Sequence, residues 1–193
     1  MITLLDYGAG NVRSVINAIE KLGETVAVAA SDRDIQDAVK LVFPGVGSFG
    51  SMMHILREKR YVEPLLAYLK SGRPFLGICV GMQALFEGSE ESPEEKGLGV
   101  LPGRVQRFKV ELAVPHIGWN GISVKQPTDL FDGLNGDEKF YFVHSYHAVA
   151  DDPSVVLTTT DYGYPFVSAV QKGNVQGTQF HPEKSGASGL RVL

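Results

Sequence analysis

Three short segments contain the residue types that nucleophilic catalysis by a thiol requires. A cysteine lies between glycines in Gly77-Ile78-Cys79-Val80-Gly81, a base and a carboxylate lie in His181-Pro182-Glu183, and a glycine-rich segment, Pro44-Gly45-Val46-Gly47, precedes both. A nucleophile needs a base beside it, a group that orients the base, and donors for the developing negative charge. We therefore predict Cys79 as nucleophile, His181 as base and Glu183 as the group that orients His181.

The surroundings of Cys79 predict a strand, a sharp turn and a helix. The apolar run 74–78 precedes the cysteine and the helical pattern 80–86 follows it. In such a turn the residues two before and two after the nucleophile come close together, which favours Gly77 and Gly81. A thiol at the start of a helix also favours the thiolate form. A buried, inert cysteine is the alternative, and the glycine-flanked turn favours the reactive one.

The other two segments also follow apolar runs. Residues 181 and 183 come at the end of the run 175–180, so on a strand their side chains project to the same side, with Pro182 ending the pairing. The run 41–43 leads into Pro44-Gly45-Val46-Gly47, which alone is an ordinary glycine-rich turn. Beside a nucleophile, the backbone N–H groups of Val80 and of Val46 or Gly47 are the natural donors to an oxyanion.

Composition is typical of one enzyme domain, spanning residues 1–193. The chain is 44% hydrophobic and has a formal net charge of −4 with no basic run, which argues against nucleic acid as the main partner. It has one cysteine, and hence no internal disulfide, and it lacks both an apolar stretch of about 18 residues and a charged leader. We expect neither membrane insertion nor secretion but a cytoplasmic protein, or an organellar one if a transit peptide has been removed.

Strand and helix patterns alternate in the first half of the chain. They predict an α/β fold with a mostly parallel central sheet and helices on both faces, with the site at the carboxyl ends of the strands. The acidic segment 89–97 is predicted to be a solvated surface loop without chemistry, and from Leu98 onward a smaller antiparallel β portion is expected. The predicted elements are strands 2–5, 25–29 and 41–43 and helices 11–22, 32–39 and 49–56.

With these motifs the chain resembles the class I glutamine amidotransferases, which hydrolyse glutamine with a cysteine on a sharp strand-to-helix turn (the elbow) and a His-x-Glu pair. Four longer segments resemble the glutaminases of imidazole glycerol phosphate synthases, and the resemblance runs in order from residue 2 to about residue 193. These segments are Leu5-Asp6-Tyr7-Gly8-Ala9-Gly10-Asn11, Pro115-His116-Ile117-Gly118-Trp119-Asn120, Tyr141-Phe142-Val143-His144-Ser145-Tyr146 and Phe180-His181-Pro182-Glu183-Lys184-Ser185.

The resemblance implies a flavodoxin-like glutaminase fold and a defined reaction. Glutamine is hydrolysed through a cysteine thioester to glutamate and ammonia, and the ammonia passes to a (β/α)8-barrel cyclase of histidine biosynthesis. It further implies that this activity depends on the partner. Because glycines flank Val46, we expect partner binding to reorganise Pro44-Gly45-Val46-Gly47 by changing the orientation of the Val46 peptide.

Further residue roles come from the same resemblance. Glutamine binding falls to Gln83, whose position four residues after Cys79 places it one helical turn along, and to Gly47, Ser145 and Tyr146. The cyclase interface falls to Asn11, Trp119, Asn120, Tyr141 and Lys184. Trp119 lies in a turn-like segment with neither helical nor strand periodicity, and a place in the core is the alternative for it.

No cofactor or metal is predicted. His54, His116, His144 and His147 have no metal-ligand spacing. The spacing Gly45-x-Gly47-x-x-Gly50 matches a dinucleotide fingerprint, but position 70, where an acidic residue is expected, is Lys.

Three other functions share these residues. A glutaminase could serve pyridoxal phosphate or anthranilate synthesis, a thiol peptidase could use the same fold, and a binding subunit could have lost its activity, although all three catalytic residues are present. The final segment 189–193 is shorter than the family's last helix, which fits a trimmed end, and related glutaminases of fungi and plants are fused to the cyclase. A free subunit and an excised half of a fusion both fit.

Overall fold

The buried apolar runs of the first half of the chain pair into a parallel sheet. The structure is a computed structural model that describes residues 1–8 and 12–193. Asn11 lies outside the described residues. Within them, the strands are β1 (Ile2–Leu5), β2 (Val26–Ala29), β3 (Leu41–Gly45), β4 (Phe75–Cys79), β5 (Gly88–Ser89), β6 (Ser92–Lys96), β7 (Gly103–Arg107), β8 (His116–Gly121), β9 (Ser123–Val124), β10 (Lys139–His144), β11 (Tyr146–Ala150), β12 (Val156–Asp161), β13 (Pro165–Lys172) and β14 (Val175–Thr178).

Most predicted helices are present with small changes in their ends. The α-helices of the described ranges are α1 (Val12–Lys21), α2 (Asp32–Asp37), α3 (Phe49–Glu58), α4 (Val62–Lys70), α5 (Val80–Gln83) and α6 (Gly186–Val192). The predictions did not include α4. Helix α5 is shorter than the predicted helix 80–86, because Leu85 and Phe86 close turns onto Met82 and Gln83 that redirect the chain into β5. None of the helices in the described ranges is both long and apolar enough to cross a membrane.

The strand order explains why helices cover both faces of the sheet. Strands run β2-β1-β3-β4-β14, all parallel, and continue through antiparallel strands β13 and β11. The connection from β1 to β2 runs in one direction, whereas those from β2 to β3 to β4 run in the other. Because crossovers are right-handed, α1 and the group α2 to α4 lie on opposite faces. The predicted fold class is therefore confirmed, and the order reverses beside β1 and β3, where ligands of such sheets bind.

The acidic segment 89–97 is ordered as part of the sheet. Instead of a solvated loop, β5 and β6 form a hairpin, and β5 also pairs with β7. Glu91, at its turn, accepts a hydrogen bond from the Phe49 N–H at the start of α3 (2.7 Å). The charged composition predicted a loop, but sheet pairing and this cap fix the segment against α3.

The segment around Trp119 is a strand, which corrects the prediction of a turn-like segment without strand periodicity. Strand β8 pairs antiparallel with β10 over its whole length, with Trp119 opposite Tyr141, in a small separate sheet. Gly118 and Asn120, on the same face of β8 as the buried His116, are not apolar. The sequence therefore lacks the apolar inner face by which a strand is usually recognised. The register with β10, a long-range interaction, determines the strand.

One face of this small sheet covers an aromatic core that includes three imidazoles. Phe108, Phe142 and Phe166 are buried there together with His116, His144 and His147. His144 Nδ1 lies 2.7 Å from the Tyr146 carbonyl oxygen and its Nε2 lies 3.3 Å from His116 Nδ1. Among the described residues, no three His, Cys, Asp or Glu side chains are grouped as metal ligands. These imidazoles are instead packed as neutral rings.

Acid should destabilise the fold through this core. Burial lowers the pKa of His144 from 6.5 to about 3, although the hydrogen bond to the Tyr146 carbonyl acts in the opposite direction. The unfolded chain binds the proton near pH 6.5 and the folded chain only near pH 3. The contribution of His144 is therefore complete above pH 6.5 and is lost as pH falls towards 3, by about 1.4 kcal/mol per pH unit.

His144→Asn tests this, because the amide can still donate to the Tyr146 carbonyl but cannot take up a proton. We expect the loss of unfolding free energy between pH 7 and pH 4, measured by urea denaturation, to be smaller than in the wild type by about 3 kcal/mol. Phe142→Leu perturbs the same core without removing a titratable group and should lower stability equally at both pH values. Equal pH slopes for wild type and His144→Asn would contradict the prediction.

Candidate active site

Cys79 lies on the predicted sharp turn between β4 and α5. Its backbone has φ 56° and ψ −111°, a strained conformation for a residue with a side chain. A Cβ on Gly77 would lie 2.7 Å from the Gly81 carbonyl oxygen, and one on Gly81 would collide with the Phe43 carbonyl. The close approach predicted for the two glycines is therefore present, and only glycine permits it.

His181 and Glu183 are paired as predicted, but by a turn and not by a strand. Glu183 Oε1 lies 2.8 Å from His181 Nδ1, and the two side chains are 2% and 3% exposed, respectively. Strand β14 ends at Thr178, and Pro182 begins a 3-10 helix over Pro182–Lys184. Proline at the first position of that short helix gives the turn its geometry. The predicted contact is present because this turn brings the Glu183 carboxylate to the His181 ring.

The backbone around His181 is fastened to β10. The His181 N–H donates to the Tyr141 carbonyl (2.9 Å), the Ser185 hydroxyl donates to the His181 carbonyl (2.6 Å), and the Tyr141 N–H donates to the Ser185 hydroxyl (2.9 Å). Three hydrogen bonds thus hold the imidazole's main chain against the strand that contains Tyr141.

The electrostatics of this pair favour a charged imidazole. Burial by itself lowers the pKa of His181, but the charge of Cys79, a hydrogen bond with Cys79 and the Glu183 carboxylate raise that pKa to about 10. Within the described residues, Glu183 Oε2 is buried without a hydrogen-bond partner, so the carboxylate charge is directed mainly at the imidazole. The site therefore favours a protonated His181 between Cys79 and Glu183.

The glycine-rich segment is held by a tyrosine that follows β1. The Val46 N–H donates to the Tyr7 hydroxyl (3.1 Å), and this hydroxyl donates to the Val46 carbonyl (3.0 Å). Burial, together with the charge of Cys79, raises the pKa of Tyr7, so the hydroxyl keeps its proton at neutral pH. The Val46 N–H is therefore already bonded to the Tyr7 hydroxyl and does not point freely into the site. The Val80 N–H, at the first position of α5, has no acceptor within its helix.

A cavity of about 390 Å³ brings most of the predicted site residues together. Its lining includes Val46, Gly47, Cys79, Val80, Gln83, Ser145, Tyr146, His181 and Lys184. Of the predicted site residues, Glu183 lies behind His181, whereas Trp119, Asn120 and Tyr141 do not line the cavity. The nucleophile, the base and the predicted substrate-binding residues therefore face one cavity.

Sequence reasoning did not identify the polar residues Glu91 and Gln179 as part of this site. Glu91 lines the cavity, and Gln179, which is fully buried, has its Nε2 3.5 Å from Cys79 Sγ. The acidic composition around Glu91 concealed a residue that is fixed by its bond to α3. For Gln179 there was a usable signal, since an amide within the apolar run 175–180 must find partners when it is buried.

The outer face of the small sheet is apolar and exposed. Ile117 is 61% and Trp119 57% exposed, so a core position for Trp119 is wrong. Its ring lies 6.1 Å from that of Tyr141, and Lys184 Nζ lies 5.9 Å from the Tyr141 ring. Val143, on the same face of β10, lines the cavity. The exposed face therefore reaches the cavity mouth.

Asn120 lies on the same strand but has internal partners. Its Nδ2 donates to the Asp161 carbonyl (2.8 Å) and its Oδ1 accepts from the Gly121 N–H (2.9 Å). The side chain therefore fastens β8 to the end of β12.

Known proteins resemble the chain over its whole length. Imidazole glycerol phosphate synthase subunit HisH of Syntrophotalea carbinolica is 49% identical over 200 residues, which cover 100% of this chain and 97% of that protein. Imidazole glycerol phosphate synthase hisHF, chloroplastic, of Arabidopsis thaliana is 47% identical, and the match covers 100% of this chain but 33% of that longer protein.

A solved structure described as a glutamine amidotransferase shares the fold, with a TM-score of 0.78 and 22% identity over 98% of this chain and 94% of that one. The family model of class-I glutamine amidotransferases matches residues 3–191. This chain therefore belongs to the class-I glutamine amidotransferases.

Proposed function

We propose that this chain is the glutaminase of an imidazole glycerol phosphate synthase, which hydrolyses L-glutamine to glutamate and ammonia. The observation that carries the proposal is that Cys79 and His181 line one cavity, with Glu183 bonded to the far nitrogen of His181. Relatives of 47–49% identity over the whole chain bear the name of that synthase.

Glutamine binds with its side-chain amide towards Cys79. Both N–H groups of Gln83 are already used, by the Tyr146 carbonyl (3.1 Å) and by Gln179 Oε1 (3.0 Å), so its Oε1 is left to accept from the substrate. Backbone groups of Gly47, Ser145 and Tyr146 complete the lining, and the Glu91 carboxylate supplies the charge that pairs with the α-ammonium group. This set of groups fits a small zwitterion better than a peptide chain.

The reaction proceeds through a thioester. The Cys79 thiolate attacks the carboxamide carbon, and the resulting oxyanion is held by the Val80 N–H and by a donor from Val46 or Gly47. His181 gives its proton to the nitrogen, the C–N bond breaks and ammonia leaves. Water then gives a proton to His181 and attacks the thioester, the C–S bond breaks, and glutamate and the thiolate are released.

The partner is a (β/α)8-barrel cyclase, which uses the ammonia to make imidazole glycerol phosphate and aminoimidazole carboxamide ribotide in histidine biosynthesis. The exposed face formed by Ile117, Trp119 and Tyr141 is the docking surface, because it is apolar and continues to the cavity mouth through Val143 and Lys184. Docking there places the barrel over the site that releases ammonia. The complex consists of two chains or of one fused chain.

Without its partner, the chain is a poor glutaminase. One of the two candidate donors from the glycine-rich segment, the Val46 N–H, is bonded to Tyr7 and so does not serve the oxyanion. A missing oxyanion donor costs roughly 3 kcal/mol, or about a hundredfold in rate. Partner binding restores the donor by rotating the peptide next to Val46, for which the flanking glycines leave freedom.

The chain works as one glutamine amidotransferase domain, residues 1–193, without cofactor or metal. A cytoplasmic location is proposed because the reactive thiol needs a reducing compartment. The Arabidopsis relative, named as chloroplastic, makes a plastid the alternative for a fused form.

The first prediction from this proposal concerns the nucleophile. Cys79→Ala should abolish glutamine-dependent synthesis by the complex with the cyclase, because the chain has no second thiol. Synthesis from added ammonium should continue at the wild-type rate, since the cyclase site is intact. Both rates are measured on one preparation. Co-purification of the variant with the cyclase establishes that the complex is assembled. Remaining glutamine turnover in the assembled variant would refute the assignment of the nucleophile.

The second prediction concerns the docking surface. Trp119→Ala should weaken cyclase binding by about 2 kcal/mol, roughly thirtyfold in Kd, if this exposed ring is an interface hot spot. Calorimetry with the purified cyclase measures this directly. Val28→Ala, which truncates an exposed apolar residue on edge strand β2, should leave the affinity unchanged. Equal affinities for both variants would place the interface elsewhere.

The third prediction concerns the isolated chain. Tyr7→Phe removes both hydrogen bonds that hold Val46, and each is worth about 1 kcal/mol. Glutamine turnover without cyclase should rise about tenfold, and activation by cyclase should shrink by the same factor. Tyr68→Phe removes another buried tyrosine hydroxyl, which is bonded to the Pro74 carbonyl away from the cavity, and should leave turnover as it is. An unchanged rate in Tyr7→Phe would exclude this hydroxyl as a latch.

A further inference from the structure

The described residues that approach the nucleophile's sulfur include a side chain for which the reaction above has no role. Gln179 follows β14 and has none of its surface exposed. Its main-chain N–H donates to the Ser168 carbonyl (2.9 Å), which fixes the backbone, and its side-chain Nε2 lies 3.5 Å from Cys79 Sγ. An amide that is wholly buried needs partners, and one of those it has here is the reacting atom.

The direction of this hydrogen bond is fixed by a chain of donors that begins at a backbone carbonyl. The Tyr146 carbonyl can only accept, so the atom of Gln83 that lies 3.1 Å from it must be Nε2. The second N–H of that group points to Gln179 at 3.0 Å, so the nearer atom of Gln179 must be Oε1. The remaining atom of Gln179, its Nε2, therefore faces the sulfur and donates.

The Tyr146 carbonyl, at which this series of hydrogen bonds begins, is also held in place. His144 Nδ1 donates to the same oxygen (2.7 Å), and His144 is buried against His116 and Phe108. Gln83, Gln179 and the carbonyl are therefore positioned before any substrate arrives.

We propose that Gln179 is a further catalytic residue, which donates a hydrogen bond from Nε2 to the Cys79 sulfur and stabilises it as the thiolate. A bond from a neutral amide to a charged sulfur is stronger than one to a thiol or a thioester. It therefore favours transfer of the thiol proton to His181, weakens when the sulfur is acylated, and is restored as the C–S bond breaks. The catalytic part rests on the proposed glutaminase function, whereas the bond to the thiolate does not.

Gln179→Glu and Gln179→Met separate the donor from packing. Methionine has a similar volume, makes neither bond and adds no charge, so it removes the donor. Glutamate keeps the oxygen that accepts from Gln83, but it replaces the N–H that faces the sulfur with an ionisable carboxylate oxygen, so its effect combines loss of the donor with an added negative charge. Gln176→Met is the matched control, since Gln176 lies on β14 and makes no contact with the cavity of Cys79. Circular dichroism and urea denaturation establish that each variant is folded.

The first readout is the pH profile of alkylation of the isolated chain by iodoacetamide, which reports one site because the chain has one cysteine. The midpoint of the profile should move up by about one pH unit in Gln179→Met, a tenfold change in the equilibrium between thiol and thiolate, and further in Gln179→Glu. The other titratable groups around the sulfur stay unchanged in all variants: Tyr7, Glu91, His144, His181, Glu183 and Lys184. Coincident profiles for wild type and folded variants would overturn the proposal.

The second readout is glutamine turnover by the complex with the cyclase. In Gln179→Met, kcat should fall about tenfold or more while KM changes less than twofold, because the bond acts on the sulfur and not on the substrate. A rise in KM with kcat unchanged would give Gln179 a binding role and overturn the proposal. A shifted alkylation profile in a chain that hydrolyses no glutamine would instead refute the glutaminase function and leave the bond to the thiolate standing.

A measurement on the wild-type chain covers the case in which both variants fail to fold. The side-chain amide protons of Gln179, observed by ¹⁵N-resolved NMR, should shift with pH together with deprotonation of the thiol, and this shift should disappear after the sulfur is alkylated. The amide protons of Gln176 should be unaffected. A Gln179 amide signal that does not respond to the state of the sulfur would overturn the proposal.

Discussion

The backbone of Cys79, held at φ 56°, is the constraint around which the site is built. Such a conformation costs of order 1–3 kcal/mol and persists only where the surroundings enforce it. Here β4 is clamped between two parallel neighbours, with Gly45 opposite Cys79 on one side and Gly177 opposite Gly77 on the other. Added Cβ atoms would collide at these glycines and at Gly81. The sheet therefore presents the sulfur at its carboxyl edge only because these glycines let the start of α5 lie directly against β3, β4 and β14.

The sequence of the turn around Cys79 predicts where the sulfur lies in the sheet but not which groups surround it. Glycines at 77 and 81 and the apolar run before them are local signals, so the strand, the turn and the parallel half of the fold could be inferred from sequence. The pairing of β8 with β10 and the hairpin that places Glu91 in the cavity depend on distant register. For that reason the Trp119 segment was taken for a turn and the acidic segment for a solvated loop. The His181–Glu183 contact was predicted correctly, although the segment is a 3-10 turn and not the predicted strand. Both conformations can bring the side chains of residues i and i+2 into contact.

The small sheet joins the proposed docking surface to the base of the site. Tyr141 contributes its ring to the outer face, whereas its main chain accepts from the His181 N–H and donates to Ser185. Its neighbours Phe140 and Phe142 are buried in the aromatic core. A partner that presses on the outer face therefore acts on a strand whose other face cannot move without repacking. Such rigidity favours a fixed position of His181 and leaves adaptation to the glycine-rich segment.

The hydrogen-bond energies of the glycine-rich segment Pro44-Gly45-Val46-Gly47 are compatible with the proposed switch. Tyr7 holds Val46 by two hydrogen bonds between neutral groups, each with a net value of about 1 kcal/mol. An oxyanion donor is worth roughly 3 kcal/mol in the transition state. In the proposed switch, two such bonds are strong enough to populate the idle form in the free chain and weak enough for an interface to break them with a small part of its binding energy. A stronger latch, such as an ion pair, would keep the site idle in the complex, and a glycine segment without Tyr7 would release ammonia with no acceptor present.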